Sequence, residues 1–277
     1  MDNAEPRPSG PDAAPPGTLV QCVNPQEGVA VVILNRPQKL NALNPELLDA
    51  LIGALEEIAG DETVRALVLT GSGRAFSAGG DISVMRSMNP AERRRFLGRV
   101  RDLTRRIRAV ECPIIAAING YAMAGGFEIA ASCDFRLVAN GAKMAVADPD
   151  VNLSPTGGLT WHLPRIVGLG WANYLTLVSP LFDDRLAIQS GFAQEAVPPD
   201  LLLARAIELA AAIAAKPPLG VRLSKMAMAV AAEIGHDAAV AWEYAAEERC
   251  FQDPATDDAF QAFLDGSLRD DKEVHPT

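Results

Sequence analysis

Two stretches decide the fold: ALVLTGSGRAFSAGGDI, Ala66 to Ile82, and PIIAAINGYAMAGGFEIAASCD, Pro113 to Asp134. Each opens as a short apolar strand and runs into a glycine-rich turn. Gly80 in the first and Gly125 in the second stand forty-five positions apart. Glycines at such turns let the backbone bend tightly and let another molecule approach it closely. Each turn can then aim a backbone N–H into a shared cavity, and two N–H groups directed at one oxygen stabilise negative charge there. The second turn also carries a carboxylate, Glu128, one turn into a helix that the pattern predicts from Gly126 to Ser132. That combination points to chemistry on a carbonyl compound, with enolate-like charge held by the backbone.

Outward from these turns, Val- and Ile-rich runs predict strands over Gly28–Asn35, Val64–Thr70, Pro113–Asn119 and Asp134–Ala139. A helix is expected from Pro45, capped by Asn44, with Leu47, Leu48, Leu51, Leu55 and Ile58 on its apolar face. An arginine-rich helix follows from Pro90 to Val110. Short apolar segments separated by helices argue for a covered α/β sheet. No GxGxxG follows the first strand, which argues against a dinucleotide-binding fold. From Thr160 the chain reads as helix almost to its end. Leu201–Ala215, Gly220–Gly235 and Asp237–Phe251 are the clearest segments, broken at Pro217-Pro218 and at Gly235 to Asp237. Met226, Met228, Trp242 and Tyr244 lie on more than one helix face, which predicts packing on the core or on another subunit.

Composition narrows the function. Hydrophobic residues make up 49% of 277, enough for a large core. A formal net charge of −10 is poorly suited to nucleic acid, whose binding requires neutralised phosphates. The basic run from Glu92 to Arg108 reads as a solvated helix face laced by i,i+4 pairs. Cys22, Cys112, Cys133 and Cys250 match no zinc or dithiol spacing and fit a reducing, cytoplasmic compartment. Scattered histidines at 162, 236 and 275 argue against a metal site, and His162 reads as structural. The first seventeen residues, rich in Pro, Ala and Gly, read as a disordered tail and as neither a signal nor a transit segment. No apolar run has membrane-spanning length free of charges or turn signals, so no membrane partner is expected.

LNRPQKLNAL from Leu34, GRAFSAGGDI from Gly73, INGYAMAGGFEIAASCD from Ile118 and PTGGLTWHLPRIVG from Pro155 occur in this order, with DPATDDAFQAFL from Asp253 as a weaker match. On these residues the chain resembles the enoyl-CoA hydratase/isomerase, or crotonase, superfamily from Leu19 to Phe263. The resemblance implies a crotonase-like spiral of ββα repeats over 18–200 and a helical C-terminal oligomerisation region over 201–277. It implies a homotrimer or a dimer of trimers. Gly80 and Gly125 then match the two oxyanion donors, and Glu128 matches one catalytic glutamate.

The second family carboxylate lies seven residues before the proline of the PxxGG region, which is Asp148 here. Hydratases usually keep glutamate there. Aspartate reaches roughly 1.5 Å less, one C–C bond. Asp150 is the register alternative. If the stretch is extended, Asp148 and Asp150 share one side. Some isomerases of the family add an aspartate eight residues after the second acid; Thr156 occupies that place. The resemblance implies an acyl thioester of coenzyme A as substrate, with no cofactor beyond its CoA moiety. Arg36, Lys39, Ala78 and Lys225 become CoA-contact candidates, and the acyl chain is expected past Met85, Trp161 and the helical tail. The implied reaction is hydration of a 2,3-enoyl-CoA to a 3-hydroxyacyl-CoA. Enoyl-CoA isomerisation or another crotonase-type lyase reaction, and a non-catalytic acyl-CoA-binding paralogue, are the alternatives.

Overall fold

The computed structural model describes residues 17–266. The expected N-terminal tail, apart from Gly17, and the chain after 266 lie outside the described residues.

The chain enters as an antiparallel pair, β1 (Val20–Gln26) and β2 (Val29–Leu34). The helix α1 (Pro45–Gly60) follows, and the Asn44 side chain accepts from the Leu47 N–H at 3.0 Å. All five residues expected on its apolar face are buried. Three strand–strand–helix units come next. The first has β3 (Ala66–Gly71), β4 (Ala75–Ser77), α2 (Ile82–Ser87) and α3 (Pro90–Ala109). The second has β5 (Ile114–Ile118), β6 (Tyr121–Met123) and α4 (Gly125–Ser132). The third has β7 (Phe135–Ala139), β8 (Lys143–Ala145) and α5 (Leu159–Asn173).

Within each unit the two strands part company. β3, β5 and β7 pair in parallel in one sheet, while β4, β6 and β8 pair in parallel in another. Each turn of the chain therefore adds one strand to both sheets, which is the expected ββα spiral. The larger sheet has the order β1-β2-β3-β5-β7-β10, ending in β10 (Glu195–Val197). The smaller has the order β4-β6-β8-β9, ending in β9 (Phe182–Asp183). β3 and β5 are buried at every position, so their unbroken apolar runs match a sheet covered on both faces.

Two expectations are corrected. The stretch after Thr160 is not continuous helix: β9, α6 (Asp184–Gln189) and β10 interrupt it. Two- and three-residue strands take their stability from the sheets they join, so helix propensity around them misleads. The arginines of α3 also do not form an i,i+4 lattice among the described residues. Arg99 pairs with Asp49 and Arg106 with Glu56, both at 2.7 Å, and so tie α3 to α1.

α7 (Leu202–Ala214) buries Leu202, Ala206, Ala210 and Ala214, one face at four-residue spacing, against the larger sheet. Beyond it, α8 (Pro218–Ala231), α9 (His236–Phe251) and α10 (Pro254–Leu264) contain no buried residue. Met228, Tyr244, Phe251 and Leu264 are exposed on them. No helix among the described residues is long and apolar enough to cross a membrane.

Candidate active site

The first glycine turn is held by its neighbour strand. The Leu43 N–H donates to the Gly79 carbonyl at 2.7 Å, and the Asp81 N–H donates to the Leu43 carbonyl at 2.9 Å. In a parallel bridge, bonds to the two flanking residues turn the central residue's own N–H away from the partner. Gly80 therefore presents its N–H to the opposite side. Asp81 anchors the turn from below. Its side chain caps α2 by accepting from the Val84 N–H, and its second oxygen accepts from Arg36 Nη1 at 2.8 Å. Burial pushes the Asp81 carboxyl up, but the bonds from Ser83, Arg36 and Val84 outweigh this and hold it near about 2.

The second turn passes through Ala124, whose φ of 44° is unusual for a residue with a Cβ. The Ala124 N–H donates to the Ala145 carbonyl, and its own carbonyl accepts from the Glu128 N–H. Gly125 is then the first residue of α4, so its N–H is among those with no partner inside the helix. It also lies at the positive end of the helix dipole. The two turns touch. A Cβ on Gly79 would come 2.6 Å from the Met123 carbonyl oxygen, and one on Gly125 would sit 3.9 Å from the Gly80 nitrogen. Only bare backbone allows this approach. The two turns thus bring two backbone N–H groups close together, an arrangement suited to an oxygen that gains negative charge. Met85 packs against Gly80 beside it.

Glu128 follows one helical turn on and is 1% exposed. Its Oε1 accepts from the Thr156 backbone N–H, and its Oε2 accepts from the Thr156 hydroxyl at 2.9 Å. Burial pushes its carboxyl up to about 7; the Asp148 charge adds to this, while the two Thr156 bonds oppose it. Asp148 is also buried, and burial pushes its carboxyl up to about 6. Its Oδ2 has no hydrogen-bond partner among the described residues. An orphaned carboxylate oxygen inside the protein is costly and marks a place for a ligand or water.

Asp150 goes elsewhere. The stretch is not extended, the condition under which Asp148 and Asp150 would share one side, but forms a 3-10 turn over Pro149–Val151. Proline fixes φ in the helical range, and the left-handed Asn152 ends the turn. Asp150 is therefore swung outward, exposed, with its Oδ2 accepting from the Ser179 hydroxyl at 2.8 Å.

The CoA-contact candidates are scattered in their freedom. Arg36 is committed to Asp81 and to the Ala42 carbonyl. Lys225 is 11% exposed; its Nζ lies 2.8 Å from Asp134 and donates to the Cys112 carbonyl. Ala78 donates its N–H to the Leu40 carbonyl. Lys39 is exposed at the end of the turn Pro37–Lys39. Trp161 lies at the far end of α4, with the Arg165 and Arg108 guanidinium carbons 3.8 and 4.7 Å from its ring centre. It lines a cleft of about 250 Å³ with Ser132, His162 and Lys225. Burial and the charges of Arg108, Arg165 and Arg136 hold His162 down near about 4, so its ring is neutral there. No cluster of His, Cys, Asp and Glu suited to a metal occurs among the described residues. Thr156 enters the sequence reading only as the occupant of the isomerase aspartate place; its bonds to Glu128, one from the backbone N–H and one from the hydroxyl, are what the sequence did not reveal.

A family model described as enoyl-CoA hydratase/isomerase matches residues 24–268. The chain is 38% identical over 238 residues to a short-chain-enoyl-CoA hydratase of Clostridium acetobutylicum, covering 86% of this chain and 91% of that protein. It is 36% identical to a crotonyl-CoA hydratase of Syntrophomonas wolfei, with 87% and 93% covered. Among solved structures, an enoyl-CoA hydratase from Bacillus anthracis superposes with a TM-score of 0.88 at 30% identity, covering 90% of this chain and 96% of that one.

Proposed function

The chain belongs to the enoyl-CoA hydratase/isomerase family, and from that premise we propose that it adds water across the 2,3-double bond of an enoyl-CoA, giving a 3-hydroxyacyl-CoA. The observation that carries this reading is the pair of buried carboxyls, Glu128 and Asp148, close enough for the Asp148 charge to act on Glu128, with Glu128 one turn along the helix that starts at Gly125. The thioester oxygen sits in an oxyanion hole formed by the Gly80 and Gly125 N–H groups. A water lies between the carboxyls. As its oxygen bonds to C3, one carboxylate takes its proton, and the π electrons move onto the thioester as an enolate. The other group, as a carboxylic acid, delivers a proton to C2 and the enolate collapses. Burial raises both carboxyls, and two neighbouring raised carboxyls favour sharing one proton, which is the state this step needs. The reverse reaction uses the same two groups.

The orphaned Asp148 Oδ2 favours it over Asp150 as the second acid. No cofactor beyond the CoA moiety enters this scheme. Lys39 is the exposed cation available to the CoA phosphates, and Ala78 borders the thioester beside Gly80. Arg36 and Lys225 serve through the loops they tie, with any direct phosphate contact requiring their ion pairs to open. The uncovered apolar residues of α8, α9 and α10 suit self-association as a trimer or dimer of trimers, and four unpaired cysteines suit the cytoplasm. Proton transfer between carbons by Glu128 alone is the second reading, favoured by the shorter reach of Asp148. Retention of both N–H donors and Glu128 weighs against a non-catalytic paralogue. The test is incubation with crotonyl-CoA, following loss of enoyl-thioester absorbance and product mass. A gain of one water, abolished in Glu128→Gln and strongly reduced in Asp148→Asn, is expected. Absence of that gain, with turnover of a 3-enoyl-CoA, would move the assignment to isomerase.

A further inference from the structure

We infer that Thr156 is a positioning residue that fixes which oxygen of Glu128 carries the mobile proton. The inference rests on Glu128 being the acid–base group of the proposed reaction. The two oxygens of this carboxyl meet chemically different partners on the same residue. Oε1 faces a backbone N–H, which can only donate. A proton placed on Oε1 would weaken that bond, so Oε1 remains the acceptor in both protonation states. Oε2 faces the Thr156 hydroxyl at 2.9 Å. A hydroxyl donates to a carboxylate and, after rotating, accepts from a carboxylic acid. The hydroxyl therefore follows the proton on and off Oε2, while the N–H keeps the carboxyl plane in place.

The walls around Oε2 leave Thr156 alone in this task. Gly157 closes one side, where a Cβ would lie 3.1 Å from Oε2 and 2.9 Å from the Thr104 methyl carbon. Thr104, on α3, donates its hydroxyl to the Val100 and Arg101 carbonyls and not to Glu128. Asp148 is the titratable group whose charge reaches Glu128. Arg108 of α3 and His162 and Arg165 of α5 gather instead about the far end of α4, lining the cleft beside Ser132.

Thr156→Val keeps the shape and the backbone N–H but removes the hydroxyl, and Thr156→Ser restores the hydroxyl without the methyl. With crotonyl-CoA, Thr156→Val is expected to lower kcat roughly 10- to 100-fold, the scale of a misplaced acid–base group, with KM within about twofold. The titration midpoint of Glu128, read as the carboxyl infrared difference against Glu128→Gln, should move up by about one pH unit in Thr156→Val, because the bond the hydroxyl gives to the charged carboxylate is stronger than the one it accepts from the neutral acid, so the ionised form loses more. Thr156→Ser should return both kcat and the midpoint towards those of the parent. An unmoved midpoint in Thr156→Val, or a failure of Thr156→Ser to restore it, overturns the inference. The two readings fail separately. A midpoint that moves in a protein adding no water to crotonyl-CoA sustains the positioning role and sinks hydration; hydration with an unmoved midpoint does the reverse.

Discussion

The helix α4 is eight residues long, and its two ends are finished in opposite ways. At its C-terminal end the chain satisfies its own backbone. Arg136, 3% exposed, donates to the Cys133 and Ala130 carbonyls at 3.0 and 3.4 Å and to the Phe192 carbonyl. The Ser132 hydroxyl returns to the Glu128 carbonyl. A cation at this end also matches the negative pole of the helix. At its N-terminal end no side chain caps the helix, and Ala124 is held at positive φ. The open Gly125 N–H faces the Gly80 turn. A fold that closes one end with a buried arginine had the means to close the other. Leaving donors free costs stability, and in the proposed reaction the thioester oxygen would supply the missing acceptor.

The largest effect should come from the carboxyl that serves the open end. Glu128→Gln is expected to lower kcat for hydration by about 10³-fold or more, near the upper range for loss of an acid–base group. Single-turnover measurement with crotonyl-CoA checks this, and a loss under about tenfold would remove Glu128 from the chemistry. Gly125→Val fills the space between the donors, since even a Cβ there lies 3.0 Å from the Leu43 methyl carbon. Its expected cost is about 10²–10³ in kcat, the scale of one lost oxyanion donor. A variant that binds substrate well and still turns it over at the parent rate would place the charged oxygen elsewhere.

The contrast also explains what was legible beforehand. Both glycine turns, Glu128 and the principal strands stand out in sequence because each is a local pattern: apolar run, turn, helix start. β4, β6 and β8 do not, because each has three residues lying inside or beside the turns themselves. The closed end was equally invisible, since Arg136 sits mid-strand in DFRLVA and only the packing of Phe192 and α4 around it gives the charge a purpose. Spacing from Pro155 pointed to Asp148 and left Asp150 as the register alternative. The 3-10 turn at Pro149 separates them by burying one and exposing the other. Arg36 and Lys225 show the converse. Their charges were readable, but their intrachain partners Asp81 and Asp134, forty-five and ninety-one positions away, were not.

Arg136 offers a test of the closed end. Arg136→Met keeps much of the side-chain bulk but takes the guanidinium from the Cys133 and Phe192 carbonyls, while the Ala130 carbonyl still accepts from the Cys133 N–H. It is expected to cost about 3–5 kcal/mol of unfolding free energy, the scale of two unsatisfied buried polar groups. The kcat of the folded fraction should change little, because the arginine touches no reacting atom. Urea unfolding followed in parallel with activity separates the two. A rate loss that exceeds the loss of folded protein would mean that the two ends are coupled through the helix.

The smallest effect concerns what the open end costs the folded protein. An ordinary Glu carboxyl titrates near 4.5, and burial pushes Glu128 up to about 7 in the folded state. The folded state therefore holds this proton more tightly than the unfolded chain does. Its contribution to stability is fully present below about pH 4.5 and is lost as pH rises through about 7. Gln at 128 cannot ionise. Its carbonyl can accept the Thr156 N–H, and its amide can donate to the Thr156 hydroxyl. Glu128→Gln should accordingly lie within about 1 kcal/mol of the parent near pH 5 and exceed it by about 3–4 kcal/mol above pH 8, because each pH unit between the folded and unfolded midpoints is worth about 1.4 kcal/mol. Denaturant unfolding at intervals from pH 5 to 9 measures the gap. Parallel stability curves would mean that Glu128 is ionised at little cost, and that the uncapped end of α4 is less demanding than its burial implies.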